Sequence, residues 1–260
     1  IVNELNLGLQ SVVFLDDSPF ERARVQEVLP EVLVPELPKN PEDYNAFLSK
    51  LRCFDKTYIT DEDKIRGDLY KSESKRTKLK QQLKSLSDWI KTLDLTITIE
   101  NIKNENTPRA VQLLNKTNQM NLSTRRLNER EFNKWVQEDK NNLWTIRAAD
   151  KFGDYGIIGI FSISIKDNVA TLVDFILSCR VVGRYIEETM IEFLKEFCYE
   201  NNVNKIKGKY KKTEKNSLCY YFFNKLKLIN SNQHSFEFSS NQKKSNLLNI
   251  KVKKPTMEKK

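Results

Sequence analysis

The chain has 260 residues, 39% of them hydrophobic, with a formal net charge of +9, which is enough apolar material for one large or two modest cored domains. No apolar run approaches the length of a membrane span, and four cysteines (Cys53, Cys179, Cys198, Cys219) without a CxxC pair indicate neither a zinc site nor a disulfide framework, so a reduced, cytosolic compartment fits best. The positive balance suits an acidic partner: nucleic acid, anionic membrane or an acidic protein.

Ile1, Asn3 and Glu4 do not make a signal peptide, and the opening reads as a chain entered in mid-helix, a fragment. Val12-Val-Phe-Leu15 is a short apolar run of the kind buried on both faces of a parallel sheet. Asp16-Asp17-Ser18-Pro19 is a helix-start signal, predicting a helix from about Pro19 to Leu29. Pro30, Pro35, Pro38 and Pro41 then space out extended chain. Thr60 and Asp63 have capping-box spacing and open a single charged helix running towards Leu93, taken as a connector over residues 58–93. Its lysines and Arg76 form a basic middle. From Asp94 a second unit begins. Leu95–Ile99 alternates as a strand, Pro108–Lys116 and Asn128–Asp139 read as helices, and Leu143–Ala149, Gly156–Ser164 and Ala170–Leu177 as strands. A helix opening at Gly183 carries Ile186, Met190, Phe193, Leu194 and Phe197 on one face. Val203–Tyr210 is a further strand, Glu214–Lys227 a helix and Ser235–Phe238 a last strand. The Lys/Asn/Ser-rich tail 239–260 predicts disorder. The fold class is α/β: residues 1–57 the end of one α/β unit, and 94–238 a complete α/β domain with a mixed sheet.

Four features carry candidate chemistry. Asp174–Glu188 runs from an apolar strand through Ser178-Cys179-Arg180 to Gly183-Arg184 at a helix opening. Unpaired N–H groups there attract an anion. Glycine permits close approach, and Arg180 and Arg184 add charge; the alternative is a plain turn glycine with solvated arginines. Cys179 is either a buried small hydrophobe or a thiol activated by the helix terminus and the arginines. Asp16 and Asp17 read, on residue type and position alone, as a helix cap. The polar stretch Lys116–Arg126 (Asn118, Gln119, Asn121, Thr124, Arg125, Arg126) is an ordinary loop or a substrate-positioning one. Cys198 and Cys219 lie on helix faces beside aromatics and belong to the core. His234, near the tail, is a poor general base. Nucleic-acid binding would want aromatics interleaved with the basic stripe, and that pattern is missing from the sequence.

Two resemblances build on these residues. The element order with Arg180-Val-Val-Gly-Arg-Tyr185 resembles the GNAT (N-acetyltransferase-like) fold, whose matching turn holds the phosphates of an acyl-pantetheine carrier. Phe14-Leu-Asp-Asp-Ser-Pro-Phe-Glu-Arg22 resembles the last acidic motif of the haloacid-dehalogenase (HAD) superfamily, whose carboxylate holds Mg²⁺. With Leu29-Pro-Glu-Val-Leu-Val-Pro-Glu-Leu-Pro38, Lys116–Arg126, Phe152-Gly-Asp-Tyr-Gly156 and Ser178–Arg184, the chain over roughly residues 1–230 resembles FkbH-like proteins. The resemblance implies glyceryl transfer from a three-carbon acyl phosphate to the thiol of an acyl carrier protein. Asp16 and Asp17 would bind Mg²⁺ and Cys179 would hold the acyl group. Arg180, Gly183 and Arg184 would grip the phosphopantetheine phosphate, and Asn216 would bond its amide. The chain departs from the pattern in three places. No Asp-x-Asp nucleophile strand precedes Asp16, so Asp-based phosphoryl chemistry is not expected. Phe223 stands where GNAT relatives carry a proton-donating Tyr, and Tyr185 where the turn has Gly or Ala. The alternatives are therefore a non-catalytic docking module for phosphopantetheine and a coenzyme A-dependent N-acetyltransferase.

Overall fold

The computed structural model describes residues 2, 7–55, 66–83, 85–226, 229–230, 235–241 and 250–255, and divides the chain into two compact units, Ile1–Ile59 and Thr60–Lys260.

In the first unit, Ser18 caps helix α1 (Pro19–Val28) by accepting the Glu21 N–H, with proline at the first helical position, where its missing N–H costs nothing. A parallel bridge joins Val13 to Leu33 on either side of α1, giving a strand–helix–strand piece, followed by α2 (Tyr44–Lys50). The apolar run was expected to be buried on both faces. Instead Val12, Val13 and Phe14 are half-buried and Leu15 is exposed, because among the described residues a single bridge is all that pairs with it. This small piece does not establish a HAD-like architecture.

The second unit takes in the helices read as one connector. Among the described residues they are two: α3 (Arg66–Gln81) and α4 (Leu86–Leu93). The break is local chemistry, since Ser85 accepts the Asp88 N–H at 3.0 Å and starts a new helix. Trp89, Ile90 and Leu93 on α4 are buried. The Thr60/Asp63 capping box lies outside the described residues, as does His234.

Next come β1 (Thr96–Asn101), α5 (Thr107–Lys116), β2 (Met120–Asn121), α6 (Glu129–Val136), β3 (Asn141–Asp150), β4 (Gly153–Lys166) and β5 (Val169–Leu177). They are followed by α7 (Ile186–Glu200), β6 (Lys205–Lys209), α8 (Ser217–Lys225), β7 (Ile229–Asn230), β8 (Ser235–Ser239) and β9 (Lys251–Lys253). A full capping box, Asn128 with Glu131, starts α6. The strands form one mixed sheet in the order β7-β8-β6-β5-β4-β3-β1-β9, with β2 set against β5. Neighbours are antiparallel except β5–β6 and β1–β9. The β9 strand corrects the expectation of a wholly disordered tail: Lys251–Lys253 pairs with Thr96–Thr98 and covers that edge.

Both sheet faces are covered, which is why β4 is apolar almost throughout. Ala110, Leu113 and Leu114 of α5 and Phe132 of α6 pack with Leu143, Ile157, Ile160 and Ile176. Across the sheet, Ile186, Met190, Phe193 and Leu194 of α7 are buried as their spacing predicted, while Phe197 is half-buried. Cys198 and Cys219 sit in that core. Among the described residues, no helix is long and apolar enough to cross a membrane.

Candidate functional site

The parallel strands β5 and β6 are paired only over Val169–Leu172 and Lys205–Gly208. A bulge falls at the same level: on β4, Ser162 faces Asp174 and Ile163 faces Leu172, leaving Val173 unopposed. Such an insertion bends a strand, and beyond it β5 runs on to Leu177 without β6. The sheet therefore forks.

The fork is not empty. Gly159 and Ile160 of β4 hold one edge of Leu177 and Ile176, and Met120 and Asn121 of β2 pair with the other. The Leu122 N–H donates to Phe175 O at 3.2 Å, and its carbonyl accepts from Lys211 N at 3.0 Å. The predicted polar loop thus forms a narrow bridge between the two arms. Asn121 is fully buried. Its Nδ2 donates to Thr117 O (2.9 Å) and its Oδ1 accepts from Thr124 N (2.8 Å), holding Thr124 in the left-handed region at φ 53°. Asn216, expected to bond a pantetheine amide, donates to Asn121 O (3.0 Å) and Lys211 O (2.8 Å). It accepts from Tyr210 Oη (2.7 Å) and Thr213 N (2.8 Å). It fastens the bridge to the β6 side.

Arg125 points inward to Asp174, donating to Oδ1 at 2.8 Å and, through its second nitrogen, to Oδ2, while its guanidinium lies 4.4 Å from the Trp135 ring centre. Ser162 and Ser123 hydroxyls complete the carboxylate's partners at 2.6 and 3.0 Å. This pair of a buried carboxylate and a half-buried guanidinium locks the bulge to the loop. Arg126 donates to Leu114 O and to Asn118 Oδ1, and Gln119 is exposed.

At the end of β5, Ser178 N–H donates to Ile158 O (2.8 Å) and Cys179–Val181 make one 3₁₀ turn. Cys179 and Arg180 are half-buried there. Gly183 at φ 78° and Tyr185 at φ 61° swing the chain into α7. Gly183 is needed for the first of these, since that backbone conformation disfavours a side chain. Its N–H, expected to meet a phosphate, donates to Glu187 Oε1 at 2.7 Å. Glu187 is 3% exposed, its Oε2 is buried without a hydrogen-bond partner, and burial pushes its carboxyl up to about 7. A carboxylate of the chain's own thus occupies this anion-seeking position. Cys198 and Cys219 are inert by comparison: burial pushes both thiols up to about 12. Phe223 is core, stacked on Phe236 at 4.6 Å.

Arg184 is turned inward, 4% exposed. It donates to Tyr155 Oη and to Glu73 Oε1 (2.6 Å), with its guanidinium 5.2 Å from the Trp89 and Tyr155 ring centres. Tyr155 in turn donates to Asp150 Oδ2 (2.7 Å), which Arg76 grips with two bonds of 2.7 and 2.8 Å. Burial alone would raise the Asp150 pKa, but the hydrogen bonds from Arg76 and Tyr155 hold it below the ordinary value. The cluster fastens α3 to the β3–β4 hairpin and to the start of α7. Sequence reasoning took Arg184 as a ligand grip and missed Glu187. The available signal was an acidic residue four positions after the turn glycine, in the first turn of a helix.

In the first unit, Asp16 Oδ1 accepts from Ser18 N (2.8 Å), and Arg22 donates to the backbone carbonyls of Asp16 and Asp17 at 2.8 and 3.0 Å. Among the described residues no three His, Cys, Asp or Glu gather as a metal centre would require. Two carboxylates on one turn, one of them bonded to the backbone, do not fit the octahedral oxygen set of Mg²⁺.

No family model matches the chain, and no curated protein does. Similar solved structures include a domain from Methanocaldococcus jannaschii (14% identity, TM-score 0.44, 55% of this chain and 97% of that one). The ribosomal-protein-S18-alanine N-acetyltransferase of Escherichia coli is another (10%, 0.42, 58% and 98%). The spermidine N-acetyltransferase of Vibrio cholerae, in complex with CoA and spermine, is a third (12%, 0.43, 56% and 96%).

Proposed function

We propose that the second unit is an acyltransferase domain of N-acetyltransferase-like architecture that draws on a pantetheine thioester. One observation carries this reading: the parallel pair β5–β6 forks, and β5 alone delivers Cys179 and Arg180 to the Gly183 turn at the mouth of α7. The phosphate end of such an arm has room beside the turn, where it would displace Glu187 Oε1 from the Gly183 N–H. Gly183 is exposed, and a Cβ built on it would meet nothing within 4 Å, so the space beside the turn is open. The length of the arm does not fit between the strands in this conformation, because Met120–Leu122 lies there. When bound, the arm supplies an activated acyl group. The chain's own part is to seat the phosphate beside Gly183 and Arg180 and to exclude water with the bridged fork.

Coenzyme A is the first donor to test. Calorimetric titration with coenzyme A and with 4′-phosphopantetheine should give saturable binding that Gly183→Val weakens at least about tenfold, since a branched residue at φ 78° is strained and blocks the approach. Absence of binding by both compounds sinks the reading.

Half-burial of Cys179 at the turn favours a second reading, FkbH-like loading of an acyl carrier protein, with Cys179 holding the acyl group. Intact-mass spectrometry after incubation with the three-carbon acyl phosphate would then show a thioester adduct, formed as the thiol displaces inorganic phosphate and lost in Cys179→Ser. Carrier binding without any adduct leaves the non-catalytic docking module.

A further inference from the structure

The opposite end of the sheet from Gly183 holds a cavity of about 520 Å³, where β3 begins, β4 ends and α7 runs out. That size is typical of small-molecule sites, roughly 300–1,000 Å³. Five of its lining residues are asparagines: Asn101, Asn141, Asn142, Asn168 and Asn201. Each amide carries both a donor and an acceptor. They come from the end of β1, the start of β3, the β4–β5 turn and the C-terminal cap of α7, so the chain brings them together from four places.

The apolar wall is aromatic. Trp144 lies 5.2 Å from Phe193 and 4.7 Å from Phe197, ring centre to ring centre, with the half-buried Phe197 offering the accessible ring. Charge is nearly balanced: Asp139 and Lys140 are the ionised lining residues, and Lys140 is paired with Glu138 at 3.0 Å. Among the described residues no arginine or histidine lines the cavity, which disfavours phosphate or carboxylate ligands.

Asn141 is among the lining residues. It is 3% exposed, and its Nδ2 donates to Trp135 O at 2.8 Å. That bond fixes which way the amide faces, because the flipped form would set two oxygens against each other. Its Oδ1 is left buried without a hydrogen-bond partner. A buried acceptor left unpaired costs stability until a donor reaches it.

We propose that this cavity is a binding site for an uncharged nucleobase-type ligand, planar and heteroaromatic with adjacent N–H and acceptor groups. Its ring would lie against Phe197 and its edge would meet the asparagine amides. Paired donor–acceptor edges are what asparagine reads on adenine, and the aromatic wall supplies the stacking surface. The site stands apart from the Gly183 turn and does not depend on what that turn binds.

The test uses the full chain, isotope-labelled, in ¹H–¹⁵N spectra titrated separately with adenosine, uridine, glucose and inorganic phosphate. A nucleoside should shift the side-chain amides of Asn141, Asn168 and Asn201 with a dissociation constant below about 1 mM. Asn168→Gly removes one amide while keeping the φ 57° backbone, and should weaken binding about tenfold. Asn141→Leu should abolish it. Should that variant fail to fold, Asn168→Gly and Phe197→Leu carry the test. The proposal is overturned if both nucleosides leave these resonances unmoved, if glucose or phosphate moves them more strongly, or if Asn168→Gly and Phe197→Leu bind as wild type does.

Discussion

Glu187 makes the domain's stability depend on pH near neutrality. Burial is the main cause of its raised pKa, from an ordinary 4.5 to about 7; the neighbouring Glu188 adds to it, while the Gly183 N–H and Lys225 oppose it. Between those two values the folded state holds a proton that the unfolded state has released. The contribution is therefore fully present below pH 4.5 and is lost as pH rises through 7. At 1.36 kcal/mol per pH unit, the whole effect is about 3 kcal/mol. Glu187→Gln keeps an acceptor for the Gly183 N–H and removes the charge. The variant should match wild type at pH 5 and exceed its stability by about 2–3 kcal/mol at pH 8. Urea unfolding followed by tryptophan fluorescence is the assay, since Trp89, Trp135 and Trp144 all lie in the second unit. Groups such as Glu188 contribute to both proteins, so the difference between the curves isolates Glu187. Parallel curves from pH 5 to 8 would refute a buried, late-titrating carboxyl at the turn.

Arg76→Ala leaves the Asp150 carboxylate buried without its bidentate partner and should cost about 3–5 kcal/mol; in the same unfolding assay, Arg76→Met with Asp150→Asn should lose less. Gly208→Ala would push a Cβ to 2.3 Å from the Phe236 ring, which is already stacked on Phe223, and should destabilise by about 1–3 kcal/mol in that assay. Aromatic disulfide reagents at pH 8 should label the exposed Cys53 and the half-buried Cys179 in the folded protein. Cys198 and Cys219 should react only on unfolding, and rapid release of four equivalents would contradict the burial that pushes their thiols to about 12.

Periodicity located the sheet and the helix faces well, because Ile186, Met190, Phe193 and Leu194 obey one rule: apolar residues at helical spacing are buried together. It misjudged the long charged stretch, where the cap at Ser85 outweighed a continuous apolar pattern. It also missed the strand Lys251–Lys253, whose lysines suit an exposed sheet edge as well as they suit a solvated tail. The site was legible as a turn but not as a set of contacts. Asn121 and Asn216 read as polar, hence available, yet both are buried because each finds its partners in segments far away in sequence. Arg184 read as a phosphate grip for the same reason: its partner Glu73 is 111 residues away, and no local pattern announces it. Long-range pairing decides which polar groups face a ligand and which become part of the frame.

The Asn216 side chain links the two arms of the fork through one amide, so neither arm can loosen alone. Freeing the Leu122 bridge also costs the bonds that shape Lys211 to Thr213, and the last helix begins at the same asparagine. Breathing of this corner is therefore concerted, and the backbone amides of Leu122 and Lys211 should exchange their hydrogens for deuterium at one shared rate. A guest entering between the strands would meet a latch in which Asn216 and the Leu122 backbone must give way together.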